Sequence, residues 1–107
     1  MAKVDITIPP RVKRGQVFLV AVRLDHPMRS GLGKDPVTGR RLPELYLKDL
    51  EVIYAGRKVS WMELSPALSE RPVVKFYLRA DQAGSLLVRA RNNQGKVIEG
   101  KATVELG

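Results

Sequence analysis

The sequence predicts an all-β fold, an immunoglobulin-like antiparallel β-sandwich of about seven strands. Two observations carry that prediction. Apolar residues recur with a period of two in short runs divided by Gly, Pro, Asn and Asp, and no segment holds a helical stripe long enough to bury one face. The 107 residues fit one domain, residues 1–107, with no repeat, linker or low-complexity tract. A chain of this size buries roughly 60–70% of its unfolded surface, enough for a core without staples.

In chain order, Val4, Ile6 and Ile8 alternate with polar neighbours and end at Pro9-Pro10, which cannot donate to a ladder. Arg11 to Gly15 reads as a basic turn. Phe18, Val20, Val22 and Leu24 form the clearest inward row, within a strand from Gln16 to His26 that Pro27 ends. Leu45-Tyr46-Leu47 and Leu50 to Tyr54 make the next strand, with a phase slip at Lys48-Asp49 that calls for a bulge. Ala55 to Lys58 is a hairpin turn and Val59 to Met62 the returning strand. Ser65 to Ser69 suits one helical turn, with Ser65 as N-cap and Pro66 at the first position. Val74, Phe76, Leu78 and Ala80 form one further row, and Leu86, Val88 and Ala90 another. The last, beyond a reversal at Asn92-Asn93-Gln94-Gly95, is Ile98, Gly100, Ala102, Val104 and Leu106.

Composition narrows the chemistry. The sequence holds no cysteine, so it offers no thiolate nucleophile, disulfide or zinc-thiolate site. Its one histidine, His26, is a poor partner for Asp25, because adjacent strand residues face opposite ways. One His and no Cys argue against zinc. Gly31-Leu32-Gly33 lacks the context of a phosphate loop. Neither a catalytic set nor a cofactor is expected. No apolar run approaches the roughly 20 residues of a membrane span. Met1-Ala2-Lys3 leads straight into the first strand with no apolar signal core, so no signal peptide is expected in this chain.

The net charge of +8 points to anionic partners. Arg89, Arg91 and Lys101 on one outward face, and Lys75, Tyr77 and Arg79 on another, allow an alternative function: a basic β-domain binding nucleic acid or ribosome. The exposed aromatics suited to stacking, Tyr77 and Trp61, are few for that role. Leu45, Leu47, Ile53, Val73 and Leu87 fall on faces that would otherwise be wet. With Tyr46, Tyr54, Trp61, Met28 and Met62 they have the composition of a protein interface.

The segment from His26 to Pro43 has no apolar period and is broken by Pro27, Pro36, Pro43, Gly31, Gly33 and Gly39. A structureless stretch of this length in a small domain is more often functional than passive. The candidate partner-binding residues are therefore His26, Pro27, Met28, Arg29, Gly31, Lys34 and Asp35 in the loop, with Leu45, Leu47 and Trp61 beyond it.

The run His26-Pro27-Met28 with Gly31 and Asp35, then Trp61, then Ala67-Leu68-Ser69 with Pro72 and Phe76, resembles the SoxZ family over nearly the whole chain. The resemblance implies the cysteine-free subunit of a thiosulfate carrier complex, an immunoglobulin-like sandwich bound as a heterodimer to a SoxY-like protein. That partner's C-terminal cysteine holds the sulfur substrate, and other sulfur-oxidation enzymes act on it in turn, in transient contact with the complex. The resemblance further implies a periplasmic location, reached by export with the partner. Self-association of the isolated chain stays open.

Overall fold

Among the described residues, seven strands make two antiparallel sheets. The computed structural model describes residues 3–26, 34–41, 44–64 and 72–107, and the helical turn expected at Ser65–Ser69 lies outside them. The strands are β1 (Lys3–Thr7), β2 (Val17–Asp25), β3 (Leu47–Tyr54), β4 (Arg57–Glu63), β5 (Val73–Arg79), β6 (Gly84–Asn92) and β7 (Val97–Val104). One sheet has the order β1-β2-β5 and the other β4-β3-β6-β7. This is the two-layer all-β sandwich that the alternation predicts, and no described residue is helical.

The inward rows meet as expected. Phe18, Val20, Val22 and Leu24 from one sheet pack with Leu50, Val52, Leu86, Val88 and Ala90 from the other, all buried. Each of these Phe, Val and Leu side chains contributes about 1.5–3 kcal/mol by leaving water. The end of the sandwich is closed by the basic turn. Val12 bridges Leu106 beside β7, while the Gly15 amide donates to the Ala80 carbonyl after β5 at 2.8 Å.

Two irregularities decide which side chains turn inward. In the β3–β6 ladder Leu47 pairs with Asn92 and Asp49 with Arg91, so Lys48 is an extra residue on β3. This bulge returns Leu47 to the interior, where it is fully buried, correcting the expectation that Leu47 faces outward. Tyr54, also an interface candidate, is buried too, and its hydroxyl donates to the Gln82 carbonyl. In the β3–β4 hairpin, Val52 pairs with Ser60 and Ile53 with Lys58, which makes Val59 the extra residue on β4. The hairpin turns at Ala55 and Gly56, with φ of 50° and 82°, the positive pair of a type I′ turn.

The two long sides of the sandwich differ. On one side β1 lies against β7. A Cβ on Gly100 would sit 2.3 Å from the Val4 carbonyl oxygen, so only glycine lets these edges come together. On the other side β5 and β4 stay apart. There the inward residues Val74, Phe76 and Leu78 of β5 and Met62 of β4 are only half-buried.

Candidate partner-binding surface

The loop that begins at His26 is held by the turn between β6 and β7. Asn92 Oδ1 accepts from the backbone amides of Gln94 at 2.9 Å and Lys96 at 2.8 Å. Its Nδ2 is thereby the donor to His26 Nε2 at 3.3 Å, and both side chains are buried. Asn93 holds the other end of the loop. Its Oδ1 accepts from the Tyr46 amide at 3.1 Å, its Nδ2 donates to the Glu44 carbonyl at 2.9 Å, and its own amide donates to the Tyr46 carbonyl at 3.0 Å. Two consecutive asparagines thus fix the start and the finish of the loop. In the sequence they are recognisable only as a reversal.

Within the loop, residues 34–41 are more regular than the lack of periodicity predicts. Asp35 Oδ1 accepts from the amides of Val37 at 2.8 Å and Thr38 at 3.2 Å. The Asp35 carbonyl accepts from Gly39, which has φ 71°, and Lys34 bridges Arg41. The result is a tight reversal headed by an Asp side chain, a structure that apolar periodicity cannot register. Lys34, Arg40 and Arg41 stand exposed on it, and Asp35 is half-buried. Pro27, Met28, Arg29 and Gly31 lie outside the described residues.

Trp61 stands on the outward face of the four-stranded sheet, 48% exposed. It is opposite Glu51 in the β3–β4 register, and Glu51 is opposite Arg89, which is opposite Glu99. A hollow of about 220 Å³ beside Trp61 is lined by Tyr46, Lys48, Asp49, Glu63 and Leu64. Because Tyr46 is the residue Asn93 holds, this hollow joins Trp61 to the finish of the loop. Leu45, half-buried, neighbours Tyr46 in the chain, so the structure brings together Trp61, Leu45 and the loop's end. Lys34 and Asp35 belong to the loop's own reversal. Leu47 belongs to the core and leaves the set.

Three cations of this face, Arg91, Arg89 and Lys58, are paired. Arg91 Nη2 contacts Asp49 Oδ2 at 2.6 Å, and the Asp49 side chain is 5% exposed. That hydrogen bond, then the charge of Asp49, raises the Arg91 pKa above the ordinary guanidinium value. Arg89 reaches Glu99 at 3.3 Å and Glu51 at 3.7 Å, and Lys58 reaches Glu51 at 3.2 Å. Of the outward basic residues that would meet a nucleic acid, Arg89 and Arg91 therefore already face acids. Lys75, Tyr77 and Arg79 are exposed on the other sheet. No group of three His, Cys, Asp or Glu among the described residues could hold a metal ion.

The family model described as "Sulphur oxidation protein SoxZ" matches residues 6–103. The chain belongs to the SoxZ family. It is accordingly a subunit of a sulfur-oxidation carrier complex. No curated protein matches the sequence. Among solved structures, the sulfur carrier protein SoxY from Chlorobium limicola f thiosulfatophilum is 15% identical, with 96% of this chain and 74% of that chain covered and a TM-score of 0.68. Superoxide reductase (neelaredoxin) from Ignicoccus hospitalis is 20% identical, with coverages of 98% and 80% and a TM-score of 0.71. A putative superoxide reductase from Thermotoga maritima is 14% identical, with 97% and 85% covered and a TM-score of 0.72. At these identities the likeness is one of fold.

Proposed function

We propose that this chain is the non-catalytic subunit of the carrier complex and that it binds a SoxY-like partner whose C-terminal cysteine carries the sulfur substrate in thiosulfate oxidation. The SoxZ match over residues 6–103 of a sequence without cysteine carries the reading. Covalent sulfur carriage needs a thiolate, which another chain must supply. The solved SoxY shares the sandwich fold, so the complex joins two domains of like architecture. The complex is periplasmic, and this subunit is exported with its partner. The loop from His26 to Asp35, with Pro27, Met28, Arg29, Gly31 and Lys34, and the Trp61 surface beside Leu45 present the partner's arm to the enzymes that act on it.

Co-expression of the two chains followed by size-exclusion chromatography tests the pairing. A single peak of heterodimer mass is expected, with an interface of at least the roughly 1,200 Å² typical of specific complexes. Separate peaks at micromolar concentration count against it. After incubation of the complex with thiosulfate and its oxidising enzymes, mass spectrometry should find the sulfur adduct on the partner and this chain at its bare mass. A stable adduct on this chain would reverse the assignment.

A further inference from the structure

The four sheet edges are not equivalent. β1 and β7 lie against each other, and β4 is interrupted by the bulge at Val59. β5 is the regular edge that faces no other: it pairs with β2 in unbroken register from Arg79 to Val73, contains no proline, and meets neither β4 nor β7. No described strand pairs with its other side. Natural proteins rarely leave such an edge open, because its free amides and carbonyls template another strand.

The register shows which groups have no partner among the described strands. The Leu24 amide donates to the Pro72 carbonyl and the Ala80 amide to the Gln16 carbonyl. In an antiparallel ladder the bonded pairs fall at every second residue. Val74, Phe76 and Leu78 therefore turn their amides and carbonyls to β2, whereas Val73, Lys75 and Tyr77 turn theirs to the open side. The side chains add two demands. Val74, Phe76 and Leu78 point into the sandwich yet remain half-buried, so the added element must bring apolar groups inward. On the outward face Lys75 stands opposite Ala21 and Arg79 opposite Val17, so β2 offers neither cation an acid.

We propose that the free edge of β5 takes an added β-strand from the carrier partner, apolar at its inward positions and acidic at its outward ones. The inference rests on the carrier-partner reading and names where that partner joins. A second copy of this chain fits less well. Antiparallel self-pairing about Phe76 would set Lys75 against Tyr77 and Arg79 against Val73, leaving all the cations without acids.

The test is amide hydrogen exchange on the chain alone and in complex with the co-expressed SoxY-like partner. The amides of Val73, Lys75 and Tyr77 should exchange freely alone and slow at least ~10-fold in the complex, while those of Val74, Phe76 and Leu78 are protected in both. Lys75→Pro deletes one edge donor without touching the β2 ladder, since proline is tolerated where the amide faces solvent. It should weaken binding at least ~10-fold and leave the melting temperature within ~4 °C. Lys75→Glu with Arg79→Glu, a surface change that spares the backbone, should weaken binding similarly, and less at high salt. If the parent forms no complex, the carrier-partner reading falls and takes this occupant with it. If the complex forms while the edge amides keep exchanging, or both variants bind like the parent, the edge proposal alone is overturned. Protection of the same amides in the isolated chain, with a dimer mass, would assign the edge to self-pairing and overturn it too.

Discussion

Asn92 joins two parts of the chain that sequence separates: it binds the amides of its own turn and, 66 residues away, the ring of His26. Replacing it by alanine strips an acceptor from two amides and a partner from a buried imidazole. Each buried polar group left unsatisfied costs about 1–3 kcal/mol. Asn92→Ala should therefore lower the denaturation midpoint clearly, while Asn93→Ala, at an exposed site, should lower it less. Urea melts of the two variants decide this, and equal losses would show that the bonds of the buried asparagine add no more than those of the exposed one. The Arg91–Asp49 pair behaves differently. The raised pKa of Arg91 means its share of stability is fully present below the ordinary guanidinium value and lost only at higher pH. A stability profile across neutral pH should consequently show no step from this residue, and Arg91→Lys should not change the profile's shape there.

The strands were legible in the sequence because each buries one side, and a period of two survives every change of neighbour. Even the bulge at Lys48 was marked by its phase slip, but the alternation read on either side of it puts both Leu45 and Leu47 on the wet face, and of the two only Leu45 is not in the core. The ladder shows the difference: Leu47 opposite Asn92 is buried, and Leu45 is half-buried. Leu47→Ala should thus cost about 2–5 kcal/mol, as large-to-small changes in cores do. Leu45→Ala should cost much less, and equal costs in chemical denaturation would remove the bulge assignment. Two features had no local signature. The clamps on the loop link residues 47 and 49 positions apart. Which edges close and which stay open depends on strand order across two sheets, and alternation within one strand carries no word of that. Of the candidate surface, Trp61 was recognisable as an outward aromatic, whereas its junction with Tyr46 needed the fold.

Across the whole molecule the excess of positive charge is not spread evenly. The outward face of the four-stranded sheet pairs Arg89, Arg91 and Lys58 with Glu51, Glu99 and Asp49, so it adds little net field. The exposed pairs of Arg89 and Lys58 are worth little stability each. Lys34, Arg40 and Arg41 at the loop, and Lys75 and Arg79 on the three-stranded sheet, stand exposed. With a net charge of +8 on the chain, these regions should steer anionic surfaces toward the loop and the β5 side. Replacing Lys34 and Arg40 by serine removes charge where little apolar area is buried. The change should shift stability by under about 0.5 kcal/mol. Rim charges act chiefly on the encounter rate, so association with the enzymes that process the carrier should slow at low ionic strength and converge with the parent as salt rises. Stopped-flow association at two salt concentrations, beside thermal melts, measures both arms. Rates equal to the parent at low salt would make the loop a passive connector, and a collapsed melt would place it in the packed structure.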